Sequence, residues 1–422
     1  MRIALFLGHP AHFHMLKHAA VHLKKHGHQV FFVIKKKDIL ETLCQDAGFK
    51  YFKIREGRTG SKFGLIKSVL GMEYHMWQFI RQNKIDILVG STLSFTAAKI
   101  NRIHVLAMGE DDADVVPNYA KLVYPFASCV LTPNCCDNGE WNAKSAKYPG
   151  YHELAYLHPN HFTPDPEIVE AYGIDTSKPY FVMRFASLNA HHDSGIKGIN
   201  TEIAQRLIDI LENSGSACSL SDQLVPQTPT DPSQLVPLST NSPTTNATSG
   251  NKPRIYITSE RPLEPQFEKY RIKINPLDMH HVMAFASLYI GDSQTMAAEA
   301  GVLGVPFVRF NDFVGRIGYL RELEDTYELG YGIHASVLPA DSPIRRNDGS
   351  PQPSGVEELY KRVEQLVSMP SAERKATFAA RREKMLSDKI DCAKFLTYFI
   401  ENYPQSVDAV RMADKSFWEK FK

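Results

Sequence analysis

Three histidines crowd the stretch Gly8-His-Pro-Ala-His-Phe-His14, directly after a short apolar run. Imidazole titrates closest to neutrality, so a histidine at the mouth of a cleft is suited to accept or return a proton. His12 is the first candidate for such a base and His14 the second; histidines that merely cap the following helix would look the same. A second cluster, Glu110-Asp-Asp-Ala-Asp114, offers carboxyl groups in which Glu110 or Asp111 could act as general acid or base, or simply cap a helix. A third signal is Gly291-Asp-Ser-Gln-Thr295, which opens a helical stretch carrying Glu299. Unpaired N–H groups and the macrodipole favour anions at a helix start, so Ser293 and Thr295 are placed to meet one. Glu299, one turn further, can accept hydrogen bonds from a diol; the plain alternative is a Ser293 N-cap followed by a helical glutamate.

Each cluster follows a run that reads as a buried strand. Strands are predicted over 2–7, 29–34, 51–54, 85–89, 103–108 and 129–132, separated by helical patterns such as Phe13, Leu16, Ala20 and Leu23. His14, His18, His22 and His26 fall four apart along that helix. Without a third ligand they do not make a metal site, so they are read as a solvated flank and no metal is assigned. The pattern restarts with strands over 180–184, 254–258, 271–274, 288–291 and 307–310. Helices are predicted near 199–213, 280–286, 295–303, 355–386 and 388–402. Strands alternating with helices imply parallel sheets covered on both faces. The fold class is therefore α/β, with two Rossmann-like doubly wound domains. The expected division is residues 1–150, a linker 151–178, a second domain 179–386, and terminal helices 387–422 packing back on the first domain. Residues 213–253 are dominated by Ser, Thr, Pro, Asn and Gly, and no Lys or Arg stands between Arg206 and Lys252. Such a segment buries too little apolar surface to offset its ordering entropy, and it is read as a disordered insertion.

Over 422 residues, 43% are hydrophobic and 23% charged, which excludes fibrous and wholly disordered classes. The 48 basic and 47 acidic residues nearly cancel, yet residues 1–109 carry 17 Lys/Arg against 6 Asp/Glu. A basic first part suits an anionic partner, whether nucleic acid, a phosphorylated substrate or a bilayer surface, or is merely a solvated basic face. Six cysteines without CxxC spacing fit reduced thiols and a cytoplasmic chain. Near the end, Phe417-Trp-Glu-Lys-Phe421 either touches a membrane surface or packs the last helix onto the first domain.

Gly291-Asp-Ser-Gln-Thr-Met-Ala-Ala-Glu-Ala300, followed by Leu303-Gly-Val-Pro306, resembles the nucleotide-diphosphate motif of the GT-B superfamily. That superfamily includes non-hydrolysing UDP-N-acetylglucosamine 2-epimerases and many glycosyltransferases. More narrowly, Pro10-Ala-His-Phe-His14, Gly150-Tyr-His-Glu-Leu-Ala-Tyr-Leu-His-Pro159, Phe181-Val-Met-Arg-Phe185 and Ala190-His-His-Asp193 resemble the family known as domain of unknown function 354.

The resemblance implies two domains facing across a cleft, with the nucleotide sugar on the second and an acceptor on the first. Ser293, Gln294 and Thr295 would contact the diphosphate, Glu299 the ribose, and Arg184 and His191 the phosphates or a sugar hydroxyl. His152 and Glu153 would line the cleft from the linker. Gly291 stands where retaining relatives often carry a second glutamate, which points to inverting chemistry. The leading expectation is a glycosyltransferase that uses a UDP-sugar, without added cofactor, to build a cell-surface polysaccharide or glycolipid. Its partners would be the nucleotide sugar and a glycan or glycolipid acceptor, with peripheral contact at the inner membrane face and no nucleic acid. Epimerisation or hydrolysis through Glu110 and Asp111, and non-catalytic binding of a sugar nucleotide or glycan, are the alternatives. The Asp112-x-Asp114 pair looks like the metal-binding motif of single-domain transferases, a role that the two-domain pattern argues against.

Overall fold

Apolar runs alternating with amphipathic stretches build two parallel sheets in the computed structural model, which describes residues 1–35, 38–54, 62–90, 95–186, 197–221 and 254–422. The first sheet has seven strands, β1 (Arg2–Leu7), β2 (Gln29–Lys35), β3 (Tyr51–Ile54), β4 (Ile87–Gly90), β5 (His104–Met108), β6 (Cys129–Pro133) and β7 (Ser145–Tyr148). Their order is β3-β2-β1-β4-β5-β6-β7. The second holds β8 (Tyr180–Phe185), β9 (Arg254–Ser259), β10 (Leu288–Gly291), β11 (Phe307–Asn311) and β12 (Gly330–His334), in the order β12-β11-β10-β8-β9. Strand order reverses beside β1 in one sheet and beside β8 and β10 in the other. At such switch points the following loops diverge and leave a crevice outside the carboxyl ends of the strands. The histidine loop follows β1, and the Gly291–Thr295 loop follows β10.

Three apolar clusters hold these layers. One covers the outer side of the first sheet, including Phe6, Val33, Met76 and Phe79. Another covers the outer side of the second, including Phe185, Leu207, Ile290 and Val363. The third is continuous through both domains, running from Leu5 and Phe13 through Tyr151 and Leu157 to Tyr289, Phe307 and Phe399.

Several elements differ from the sequence expectation. β7 and β12 are additional strands, and both lack a legible apolar run: one reads Ser-Ala-Lys-Tyr, the other Gly-Tyr-Gly-Ile-His. Residues 271–274 form no strand; only an isolated bridge joins Arg271 to Ile257 before Asn275-Pro276 turns the chain away. The long helix over 355–386 is two helices, Val356–Ser368 and Ser371–Asp388. Pro370 forces Met369 out of the helical region, to φ −68° and ψ 132°. The helix expected to end near 213 runs as Thr201–Ser221, while residues 222–253 of the expected insertion lie outside the described residues.

The histidine flank of the helix Pro10–Lys25 is not simply solvated. His18 stacks on His161 of the linker with ring centroids 4.7 Å apart, and His26 meets Glu401 at 2.7 Å. Burial pushes His18 down to about 3, so it packs as a neutral ring. His161 in turn hydrogen-bonds the buried Asp391 at 2.8 Å, and Asp391 caps the helix Cys392–Glu401 through the N–H groups of Ala393 and Lys394. Burial alone would raise the Asp391 pKa, but the hydrogen bonds from His161, Asn160 and Lys394 hold it well below the usual carboxylate range. This helix therefore ties the end of the chain to the first domain. Phe417, Trp418 and Phe421 pack on its Phe395 and Tyr398, so the terminal aromatic cluster is used inside the fold.

Beneath the β10 loop lies a buried ion pair. Arg309 on β11 is fully buried, and its Nε donates to Glu324 Oε1 at 2.9 Å. Glu324 sits in a π-helical turn, Glu322–Thr326. Removing one partner of such a pair strands a charge, which costs about 3–5 kcal/mol, whereas apolar replacement of both is often neutral. Glu324→Leu should therefore lower the urea unfolding free energy by about 3–5 kcal/mol, and adding Arg309→Met should restore most of that loss.

Candidate active site

The β10 loop is shaped by its own residues before any ligand arrives. Gly291 has no room for a side chain, since a Cβ there would lie 2.9 Å from the Arg184 carbonyl oxygen. Asp292 is fully buried: Oδ1 accepts the Ala186 N–H at 2.6 Å and Oδ2 the Ile199 N–H at 3.3 Å. One carboxylate thus pins both flanks of the 187–196 stretch. That stretch contains His191, which lies outside the described residues. Asn311 donates to the Asp292 carbonyl oxygen at 2.9 Å, linking the loop to the layer that holds Arg309.

Ser293 then caps the helix Gln294–Leu303, its hydroxyl accepting the Met296 N–H, while Gln294 and Thr295 remain partly exposed in the first turn. The first N–H groups of a helix have no intrahelical partner, so this turn presents donors. Arg184 is the register partner of Gly291 on the adjoining strand. Its Nη2 donates to Glu260 at 2.6 Å, and its Nε has no hydrogen-bond partner. Ser293, Gln294, Thr295 and Arg184 therefore share one edge, where a guanidinium fork and helix amides suit phosphate oxygens.

Glu299 faces inward. It is 6% exposed, and its Oε1 accepts hydrogen bonds from Tyr156 at 2.8 Å and His280 at 2.9 Å. His14 packs against both partners, with ring centroids 5.4 Å from Tyr156 and 5.0 Å from His280. One residue each from the first domain, the linker and the second domain thus surrounds this carboxylate. Both hydrogen bonds go to Oε1, which leaves the lone pairs of Oε2 for a further donor. Burial holds the His14 pKa well below its ordinary value, and its Nδ1 has no partner. His14 is thereby a packed neutral ring inside the cluster. His12 is partly exposed, and its Nδ1 accepts the Gly8 N–H at 3.2 Å, which puts the proton of the neutral ring on Nε2.

The linker supplies a different histidine. Glu110, just past β5, accepts the His152 backbone N–H through Oε1 at 2.6 Å and faces His152 Nδ1 through Oε2 at 3.1 Å. A carboxylate only accepts, so a ring proton on Nδ1 would face Glu110 and leave the lone pair on Nε2. His152 Nε2 is buried without a partner. An acid that orients an imidazole whose far nitrogen is unoccupied is the arrangement of a general base. Beside it, Glu153 is 1% exposed and its Oε2 has no partner. Burial, with Glu110, Glu299 and Asp111 nearby, raises its pKa well above the ordinary carboxylate value. Asp111 is partly exposed in the same loop. Asp112, buried, accepts the N–H groups of Asp137 at 2.8 Å and of Gly318 at 2.6 Å, bridging the two domains. Among the described residues no group of three or more His, Cys, Asp or Glu is arranged to hold a metal ion.

Sequence patterns brought Glu110, His152, Glu153, His14 and Glu299 into view separately; the fold brings them together. They missed Tyr156 and His280, whose types and spacing carry no signal, and Asp292, which stood inside the Gly-Asp-Ser motif but drew no role.

No protein-family model matches the chain, and no curated protein matches it. Solved structures do. UDP-GlcNAc 2-epimerase from Neisseria meningitidis bound to UDP-GlcNAc is similar at TM-score 0.57 and 12% identity, over 95% of this chain and all of that one. S. aureus MnaA in a co-structure with UDP gives 0.56 and 11%, over 96% and 97%. The spinosyn rhamnosyltransferase SpnG complexed with spinosyn aglycone gives 0.55 and 12%, over 95% and 100%. The two facing parallel-sheet domains are thus the GT-B fold.

Burial raises the Asp292 pKa to about 6, against hydrogen bonds from Ala186 and Ile199 that lower it. A raised folded-state value means the native state binds the extra proton, so this contribution is complete at acid pH and is lost as pH rises through about 6. Unfolding free energies measured from pH 4 to pH 8 should fall in the parent relative to Asp292→Asn, and an unchanged difference across that range would contradict the assignment.

Proposed function

We propose that this chain belongs to the domain of unknown function 354 family and is an inverting GT-B glycosyltransferase that uses a nucleotide-diphosphate sugar, with uridine as the nucleoside. The observation that carries the reading is the pairing of two edges. On the second domain, the helix start at Ser293–Thr295 and Arg184 form a place for a diphosphate. From the first domain and linker, Glu110 holds His152 with Nε2 directed away from its carboxylate partner. Likeness to enzymes solved with UDP, UDP-GlcNAc and an aglycone supports the same reading.

In the proposed reaction the acceptor hydroxyl attacks the anomeric carbon while the bond to the diphosphate oxygen breaks. The hydroxyl proton passes to His152 Nε2, and Glu110 stabilises the imidazolium that forms. The electron pair leaves on the nucleoside diphosphate, whose charge meets Arg184 and the helix amides. Glu299 Oε2 accepts from the ribose. This reading gives the base role to His152 rather than His12 or His14, because the His12 lone pair is turned to Gly8 and His14 is packed inside. The acceptor is a glycan or glycolipid precursor on the cytoplasmic side of a membrane; among the described residues no helix is long and apolar enough to cross one. A second reading, epimerisation or hydrolysis of the nucleotide sugar without acceptor, is favoured by the buried Glu153 beside Glu110, two carboxyl groups whose different surroundings suit an acid next to a base.

A thermal-shift series with UDP, GDP, CDP, dTDP and ADP and their sugars tests the proposal. A ligand bound only by the folded state adds about 2.7 kcal/mol at a hundredfold excess over Kd. We expect a clear shift with UDP or its sugars, a much smaller one in Arg184→Ala, and a full one in His152→Ala. Loss of a general base should then lower product formation by about 10²–10⁴-fold in His152→Ala. Product from the sugar nucleotide alone would favour the second reading, and no shift with any nucleotide would defeat both.

A further inference from the structure

The basic first domain also carries an apolar surface that the proposed chemistry does not use. Seven of the nine large apolar side chains that the described residues expose fall within residues 1–122. Two of them, Leu70 and Tyr74, stand on the helix Lys62–Asn83. Its inner face buries Met72, Met76, Phe79 and Ile80 against the first sheet. Leu70 and Tyr74 recur at helical spacing on the opposite side, continued by the exposed Arg81 and by Trp77, which is half-buried and also packs on the inner cluster, so the helix turns a short apolar stripe outward. Leu70 is 64% exposed and Tyr74 55%. Tyr74 stacks on Trp77 at 5.9 Å, and the Arg81 guanidinium lies 5.1 Å over the Trp77 ring. Glu73 accepts the Ala97 N–H, which sets the short helix Phe95–Ile100 alongside and adds Ile100, 66% exposed.

Charge decides what covers this face. Residues 62–103 contain six Lys/Arg and two acids, Glu73 and Asp86, both of which accept backbone N–H groups. Lys67, Arg81, Lys84, Lys99 and Arg102 are exposed. A second copy of the chain would bring like charges together, which disfavours self-pairing. Nucleic acid would match the charge but leave Leu70 and Ile100 against polar phosphates. An anionic bilayer satisfies both: aromatic rings and aliphatic tips settle at headgroup level while long cationic side chains reach the surface charge. We infer that the outward stripe of the helix Lys62–Asn83, with Ile100 beside it, is a docking surface for an anionic lipid bilayer.

Membrane contact then falls on the first domain and not on the terminal Phe417–Phe421 cluster, whose rings pack on Phe395 and Tyr398. It is independent of the nucleotide site, so either can fail alone. The test is co-sedimentation of the full chain, without nucleotide, with vesicles of phosphatidylcholine containing 30% phosphatidylglycerol and with pure phosphatidylcholine. We expect binding to the anionic vesicles, weakened by 0.5 M salt and lowered at least tenfold in Leu70→Ser/Tyr74→Ser, whose melting temperature should match the parent because both side chains are exposed. Val337→Ser, exposed on the second domain, should bind as the parent does. Failure to bind anionic vesicles, equal binding to neutral ones, or undiminished binding of the double variant would overturn the inference. So would capture of single-stranded RNA in place of vesicles, or dimerisation that the double variant abolishes.

Discussion

A buried carboxylate must be paired, and the pairing of Glu299 organises the junction of this molecule. Its Oε1 receives the Tyr156 hydroxyl and the His280 ring, and His14 closes over both. Leaving such a group unpaired would cost more than an ordinary hydrogen bond returns, so these side chains are not free to drift apart. Because they come from the first domain, the linker and the second domain, satisfying one charge also sets how the two sheets face. The same carboxylate lies one turn inside the helix whose start opens on the cleft. The proposed donor site and the domain arrangement would therefore share a residue.

Other contacts repeat that coupling. Asp112 reaches from the β5 loop to the Gly318 N–H, and the Tyr151 hydroxyl donates to Glu322, which Lys389 also meets at 2.6 Å. Against these satisfied groups, His152 Nε2, Glu153 Oε2 and Arg184 Nε stand out as polar atoms without partners. A protein does not leave several such atoms at one junction without cost, roughly 1–3 kcal/mol for each buried one. Their distribution, an imidazole and a carboxyl on the linker and a guanidinium on the second sheet, is the one the proposed glycosyl transfer would use.

Much of the architecture was legible because parallel strands buried on both faces read as unbroken apolar runs, as in Ile3–Leu7 and Leu288–Ile290. β7 and β12 were not, since edge strands built from Ser-Ala-Lys-Tyr and Gly-Tyr-Gly-Ile-His carry no such run. Within the site, loops after strands could be found by their polar punctuation, and Glu110, Ser293 and Glu299 emerged that way. What a side chain meets could not. Three histidines in one loop looked like the base, yet one of them packs as a neutral ring and another turns its lone pair to its own backbone. The histidine that Glu110 orients stood in the linker, and only the fold sets Glu110 against it. Tyr156 and His280 matter through long-range contacts that no local spacing encodes.

In the proposed donor site the first turn of the helix Gln294–Leu303 holds the diphosphate of a nucleotide sugar. Its leading amides lack intrahelical acceptors, so they should exchange with deuterium readily in the free protein and slowly when phosphate oxygens accept from them. Hydrogen exchange, measured with and without the nucleotide diphosphate that most raises the melting temperature, reads those amides directly. Slowed exchange at residues 293–295 is the predicted result. Unchanged exchange there, with the same ligand still stabilising the protein, would place the nucleotide elsewhere and contradict the account.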